Sequence, residues 1–263
     1  MRADKFFAEA FGSRTKAAEA IERGLVLVNG KLIKPKTEIH EDDAITFIQA
    51  EESFVSNGGY KLDRGLKTFA FSCLDKTFAD IGASTGGFTD CLLQNGAKRV
   101  YAIDVGESLL HESLQNDDRI VRMENTNARY LKKADFPEQI DGVVTDVSFI
   151  SLSLIFPVIR EILSENGDAF VLVKPQFECE NKHISKNGIV HTKAHPLILE
   201  KVLNDCTSNG LYPFGIVNAP IRKGKNIEYV LHLKPTYEGA ITKADVIKSV
   251  QDMLLKHARE ELQ

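Results

Sequence analysis

No apolar stretch in this sequence approaches the roughly 20 residues needed to span a bilayer; residues 169–173, Ala-Phe-Val-Leu-Val, are typical of its longest. A membrane-spanning protein is therefore not expected. Its four cysteines, Cys73, Cys91, Cys179 and Cys206, include no C-x-x-C pair, which argues against a zinc ribbon or a disulfide framework and for reduced, mostly buried thiols. The start, Met1-Arg2-Ala3-Asp4-Lys5, runs into an amphipathic pattern with acidic residues, not into the apolar core of a secretory signal. A cytoplasmic protein with no membrane partner is expected. Repeats and low-complexity tracts are lacking too. Neither sign of charge dominates: 33 Lys+Arg against 37 Asp+Glu give a net charge of -4, with 43% hydrophobic and 27% charged residues. That balance suits an ordinary globular chain, and 263 residues suffice for one large α/β domain or one medium and one small domain.

The first fifty residues read as a small unit of their own. Phe6, Phe7, Ala10 and Phe11 mark a short helix, Ser13 caps a second that turns Ala17, Ala18 and Ile21 inward, and Gly24 ends it. Two apolar runs flank Asn29-Gly30, a pair suited to a type I′ hairpin turn, and residues 44–47 add a third strand. Residues 1–37 carry eight basic side chains, Arg2, Lys5, Arg14, Lys16, Arg23, Lys31, Lys34 and Lys36, against four acidic ones. Arg14 and Lys16 fall in the first turn of the second helix, where the macrodipole disfavours cations. A bound phosphate reverses that penalty, and the hairpin lysines would extend such a site along a nucleic-acid backbone. A solvated charged face is the competing reading. The segments Arg2-x-Asp4-Lys5-Phe6-Phe7, Ser13-Arg14-x-x-Ala17 and Gly24-x-Val26-x-Val28-Asn29-Gly30-Lys31, then Lys34-Pro35, resemble the small RNA-binding domain named after the fourth small-subunit ribosomal protein. This domain is expected over residues 1–48, with a linker at 49–58. The sequence pI of about 6.0 means that any RNA recognition rests on local basic patches and shape.

From residue 59 to 263 strand and helix patterns alternate. Strands are expected at 78–81, 100–103, 120–122, 142–145 and 169–173, with later ones near 212–218 and 228–233, and Val246, Val250, Met253 and Leu254 mark a terminal amphipathic helix. The fold class expected is α/β, a Rossmann-like, doubly wound and mainly parallel sheet.

After the first of these strands comes Asp80-Ile81-Gly82-Ala83-Ser84-Thr85-Gly86-Gly87-Phe88, the loop that in such a sheet lies at the ligand-binding edge. Asp104 ends the second strand, 22 residues after Gly82, where a carboxylate can bind ribose hydroxyls. The spacing is not the G-x-G-x-x-G of dinucleotide enzymes, and no P-loop lysine is present. It is closer to the glycine loop of S-adenosylmethionine-dependent methyltransferases. Asp80, Gly82, Ala83, Ser84, Thr85, Gly86, Gly87, Asp104 and Asp146 are the expected cofactor residues. Asn127 joins them, either as an adenine or ribose contact or as a loop asparagine satisfying its own backbone.

Four charged residues fall at the same edge. Lys61 opens the helix before the first strand, after the flexible Ser56-Asn57-Gly58-Gly59; Asp146 ends the fourth strand, Lys174 the fifth, and Glu228 begins a late one. Their order around the glycine loop resembles the tetrad of the heat-shock, FtsJ-type ribose methyltransferases. The wording is closer still to the TlyA family of ribosomal RNA 2′-O-methyltransferases: Gly58-Gly59-Tyr60-Lys61-Leu62, Thr126-Asn127-Ala128-Arg129, Asp146-x-Ser148-Phe149-Ile150-Ser151-Leu152, Val173-Lys174-Pro175-Gln176-Phe177-Glu178 and Asn226-x-Glu228-Tyr229.

The resemblance implies methyl transfer from S-adenosylmethionine to a ribose 2′-hydroxyl of ribosomal RNA, with ribosomal RNA or ribosomal subunits as partner. The implied target is cytidine in large-subunit RNA, with small-subunit RNA a second candidate; the short ends of the chain suit the shorter family type acting on the large subunit alone. A ribose hydroxyl is a poor nucleophile and needs its proton removed. Lys174 is the candidate base, Asp146 and Glu228 its orienting carboxylates, and Lys61 a positioning cation. No metal is expected, since the sulfonium already activates the leaving group. His191 and His195 share an i, i+4 spacing but lack an H-E-x-x-H context, and surface or loop roles are expected for them. Phe149 is expected to pack under its loop, with stacking on a target base as the alternative. The competing functions are a non-catalytic ribosome-assembly factor, a cytolysin, which the apolar pattern disfavours, and a hydride-transfer enzyme, which the loop spacing disfavours.

Overall fold

In the structure, a computed structural model, the described residues are 1–22, 24–48, 54–222 and 224–260. The chain divides into two compact units, Met1–Ser53 and Phe54–Gln263.

The first unit packs helices α1 (Ala3–Phe6) and α2 (Arg14–Glu22) against a sheet in which β1 (Val26–Val28) lies between β2 (Lys31–Leu32) and β3 (Ile45–Phe47), all antiparallel. Asn29 and Gly30 both adopt positive φ, 52° and 73°, and Val28 pairs with Lys31, as a two-residue type I′ hairpin requires. Ser13 Oγ accepts from the Lys16 amide at 3.1 Å and starts α2. The first helix is shorter than its aromatic spacing suggests. It stops at Phe6; Phe7, whose amide still donates to Ala3 O, is buried with Ala3, Ala17, Ile21, Val26, Val28 and Ile39.

The second unit is a seven-stranded sheet. Its strands are β4 (Thr77–Ile81), β5 (Arg99–Ile103), β6 (Ile120–Met123), β7 (Ile140–Thr145), β8 (Leu163–Val173), β9 (Tyr212–Asn218) and β10 (Tyr229–Lys234), in the spatial order β6-β5-β4-β7-β8-β10-β9. Strands β4 to β8 pair in parallel, and β10 runs antiparallel between β8 and β9. Connections and faces are supplied by α3 (Asn57–Thr68), α4 (Gly87–Gln94), α5 (Phe156–Ile162), α6 (Pro175–Glu178), α7 (His195–Ser208) and α8 (Lys243–Glu260). The order reverses between β4 and β7, which places the ligand crevice at their carboxyl ends.

The central strands are legible as apolar runs because they are covered on both sides. Phe78, Val144 and Phe170 face one apolar layer, shared with Leu62 and Leu66 of α3 and Leu92 of α4. Ala79, Val143 and Val171 face the other, shared with Ile159 of α5, Leu203 of α7 and Val250 of α8. Residues 54–58, read from sequence as linker, lie in the second unit. Phe54 joins the layer beneath α3, and the Val55 amide donates to Asp90 at 2.7 Å. No described helix is long and apolar enough to cross a membrane.

Candidate active site

The residues singled out at the strand ends converge because their strands are neighbours. Asp146 follows β7 and donates its amide to Ile81 O at the end of β4. Lys174 follows β8, and Tyr229 of β10 pairs with Val173, which brings Glu228 beside it. Lys61 arrives from the opposite layer. It is not at the opening of its helix: Ser56 caps α3, accepting from the Gly58 amide at 3.3 Å, so the stretch read as flexible is a cap and first turn. Four residues past Lys61, Gly65 lies so close to β10 that a Cβ there would come within 2.6 Å of Val230 Cγ1. This close approach delivers the lysine to the sheet edge.

Lys61 Nζ lies 2.7 Å from Glu228 Oε2 and 3.9 Å from Asp146 Oδ2. Lys174 Nζ lies 2.6 Å from Asp146 Oδ1 and donates to Ser148 Oγ at 2.8 Å. Asp146 thus stands between the two ammonium groups. The Lys174 side chain is only 9% exposed, so it works largely screened from bulk water.

Two cavities open on this cluster and share Gly82, Ser84, Asp146 and Ser148 in their walls. The larger, about 750 Å³, also has Asp104 and Asn127, a volume in the ordinary range for small-molecule sites. The smaller, about 170 Å³, reaches Lys174, Thr85, Gly87 and Ser56. Gly86 takes φ +90° to begin α4, and a Cβ on Gly87 would come within 2.1 Å of Ser56 Oγ, so the starts of α3 and α4 touch beneath the loop.

Of the residues expected to hold a cofactor, Gly82, Ala83, Ser84, Thr85, Gly87, Asp104, Asn127 and Asp146 line one cavity or the other. Asp104 Oδ2 accepts from the Ser84 amide and Oδ1 from the Gly106 amide, each at 2.9 Å, which pins the loop to the end of β5. Asn127 Oδ1 accepts from the Arg129 amide at 3.2 Å, so it satisfies its own turn as well as facing the cavity. Gly86 packs against Leu110 and Leu114 and lines neither cavity. Asp80 also departs from the expectation. It is wholly buried beneath the loop, where Thr89 Oγ1 donates to its Oδ2 at 2.7 Å and Oδ1 has no hydrogen-bond partner among the described residues. Burial pushes its carboxyl up to about 7, with the Asp146 and Asp104 charges adding to the rise.

Sequence reasoning passed over two residues that shape the same edge. Ser148 holds Lys174, and Glu178 is buried with its carboxylate accepting from Ser151 Oγ and the Leu152 amide, each at 2.8 Å. They lie within residues 146–152 and 173–178, the segments that also carry Asp146 and Lys174, and that proximity is the signal for them. Glu178 fastens the loop from Ser148 to Leu152, and burial raises its carboxyl. Phe149, at the tip of that loop, does not pack under it. It is 91% exposed, its backbone is in the left-handed region at φ +62°, and its ring lies 5.1 Å from that of Phe177. A bulky residue held there is strained, a cost that recurs where side chains meet ligands.

His195 is not at the surface either. It is buried with Nδ1 2.7 Å from the Tyr229 hydroxyl, and burial lowers it to about 4, while His191 is exposed. Among the described residues, no group of three or more His, Cys, Asp or Glu is arranged to hold a metal ion.

In the first unit, Arg2 Nη2 and Arg14 Nε reach Asp4 Oδ2 at 2.7 and 3.1 Å. Asp4 is buried at that point, so these two cations are partly committed to holding α1 against α2. Lys5, Lys16, Lys31, Lys34 and Lys36 are exposed, and Arg23 lies outside the described residues.

Residues 54–234 match the FtsJ-like methyltransferase family, and residues 1–45 match the S4 domain. A Bacillus subtilis protein provisionally named as the rRNA methyltransferase YqxC is 45% identical over 86% of this chain and 82% of its own. The 16S/23S rRNA (cytidine-2′-O)-methyltransferase TlyA of Mycobacterium tuberculosis is 37% identical over 88% of this chain and 87% of its own. A solved structure from Streptococcus thermophilus, provisionally named a hemolysin, matches with a TM-score of 0.72 at 37% identity, covering 98% of both chains. An S4 domain followed by an FtsJ-like domain, on a seven-stranded sheet with a glycine loop at its switch point, places the chain in the TlyA family of FtsJ-like methyltransferases.

Proposed function

We propose that this methyltransferase acts in the cytoplasm on ribosomal RNA, transferring a methyl group from S-adenosylmethionine to the ribose 2′-hydroxyl of a cytidine. The observation that carries the reading is the placement of Asp146 between Lys61 and Lys174 at the junction of two cavities. The walls suit the cofactor. Asp104 and Asn127 offer acceptors for ribose hydroxyls and an adenine edge, and the glycine loop leaves room for a close approach. S-adenosylmethionine, when bound, supplies a methyl group already activated by a sulfonium charge.

The remaining task is to deprotonate the hydroxyl and aim it. In this reading Lys174 is the base. A neutral amine has two N–H groups and one lone pair; Ser148 Oγ takes one N–H group, Asp146 Oδ1 lies 2.6 Å from Nζ, and the lone pair is left for the 2′-hydroxyl proton. With Lys174 neutral, Lys61, Asp146 and Glu228 sum to one negative charge, so proton uptake by Lys174 brings the cluster to neutrality. Lys61, tethered by Glu228, orients the ribose or its phosphate. Phe149, exposed beside the cluster, offers a ring face for the unstacked target base. Arg2, Lys5, Arg14, Lys16, Arg23, Lys31, Lys34 and Lys36 supply phosphate contacts from the S4 unit.

The test is methyl transfer from labelled S-adenosylmethionine to separated ribosomal subunits from a strain lacking this gene, with wild type beside Lys174→Ala and the product nucleotide mapped by mass spectrometry. Ribose-methylated cytidine formed by wild type alone supports the whole reading. Cofactor binding without label in either subunit overturns it and moves a non-catalytic assembly role ahead.

A further inference from the structure

Helix α3 serves more than the four-residue cluster. One turn beyond Lys61, Arg64 lines a separate cavity of about 1060 Å³ on the same unit. Its Nη2 donates to Asn218 Oδ1 at 3.5 Å. Asn218 ends β9 opposite Tyr229, and the Ala219 amide donates to Glu228 O at 2.8 Å, so one end of the groove is set where Glu228 enters the cluster. The far walls are the β9–β10 loop, with Arg222 and Lys225, and α8, with Lys256 and His257. None of the residues lining the groove is acidic.

Arg64, Lys225 and Lys256 bring three positive charges into one concave wall that no acidic residue lines; like charges gathered so repel one another, and their field is answered by a polyanion. A small anion would need only one or two of them. A groove this large, whose Arg64 and Asn218 end adjoins the elements that carry Lys61 and Glu228, matches the phosphates that follow the target ribose along a strand. We propose that this groove binds the phosphodiester backbone of the substrate RNA as it leaves the methylation site, giving the catalytic unit an RNA contact of its own. The inference rests on the reading that the substrate is ribosomal RNA.

Lys225 and Lys256 are both exposed and make a clean probe. The full-length Lys225→Ala/Lys256→Ala variant is compared with wild type and with Lys248→Ala, which removes an exposed lysine of α8 outside the groove. Steady-state methylation of ribosomal subunits is measured across salt concentrations, together with S-adenosylmethionine affinity and melting temperature. The expected result is a KM for RNA raised roughly tenfold at moderate salt, with kcat changed far less. The slope of log(kcat/KM) against log[salt] should become less negative by about 1.4, the value for two lost single-strand phosphate contacts. Lys248→Ala should move neither. A double variant with wild-type KM and salt slope, beside an active wild type, overturns the groove and leaves the methylation reading standing. A wild-type protein that binds cofactor but labels no ribosomal RNA overturns that reading, and this inference with it.

Discussion

Lys61 and Glu228 are 167 residues apart in the chain, yet the Lys61 ammonium donates to Glu228 Oε2 at 2.7 Å. The contact joins a helix on one face of the sheet to the start of an antiparallel strand. If the two act as one positioning unit, Lys61→Ala and Glu228→Ala each lower kcat by about 10²-fold or more, and the double variant loses little beyond the worse single one. Single-turnover methylation measures this directly, and fully additive losses would show that the two act separately.

Gly65 sets the height of α3 above β10. A methyl group at that position would come within 2.6 Å of Val230 Cγ1, so Gly65→Ala must lift the helix and draw Lys61 away from Glu228. Overpacking of this kind costs about 1–3 kcal/mol. Melting temperature and kcat should both fall, and Val230→Ala in the same chain should restore both in part. A Gly65→Ala protein with wild-type kcat would separate the helix position from catalysis.

The Glu178 carboxylate holds Ser151 and Leu152 from below. Glu178→Gln keeps the shape but turns an amide donor toward one of these two donors, a mismatch worth about 1–3 kcal/mol. At about 2–4 °C per kcal/mol for a unit of this size, calorimetry resolves the change. The loosened loop carries Phe149, so KM for RNA should rise more than KM for the cofactor. Equal effects on both would place the role of Glu178 in folding alone.

Asp80 ties stability to pH. Its folded-state carboxyl is raised by burial to about 7, above the ordinary value of about 3.9 in an unfolded chain. The unfolded state therefore releases this proton first, and the stabilisation from protonated Asp80 is present below about pH 4 and lost as pH rises through 7. Asp80→Asn, which keeps the polar shape without the charge, should gain melting temperature relative to wild type as pH goes from 5 to 8. A constant difference across that range would remove Asp80 as the source.

The basic residues of the S4 unit divide by their partners. Arg14 is bound to the buried Asp4, whereas Lys16, two residues on, is exposed. Arg14→Ala should lower both the melting temperature and the affinity for ribosomal RNA. Lys16→Ala should leave melting unchanged and reduce the salt slope of RNA binding by about 1. Filter binding at several salt concentrations, with parallel thermal scans, distinguishes the two patterns.

Local chemistry accounts for much of what could be read in the amino-acid order. The Asn29-Gly30 turn follows from the backbone freedom of two residues, the Ser13 cap from one side-chain oxygen, and the central strands from apolar runs that only a sheet covered on both faces can bury. The position of the glycine loop and of Asp146 and Lys174 follows in turn, since strand ends in such a sheet face one crevice. Tertiary packing decided the rest. Helix α1 ended at Phe6 with Phe7 buried in the small core, and His195 went inside, where Tyr229 answers its Nδ1. Asp80 sank beneath the loop it introduces, and Phe149 was held outward in a left-handed backbone. Pairings such as Lys61 with Glu228, and the cationic groove between α3 and α8, depend on how closely helix and sheet approach. That distance is set by side-chain volumes from distant parts of the chain, and no local pattern carries it.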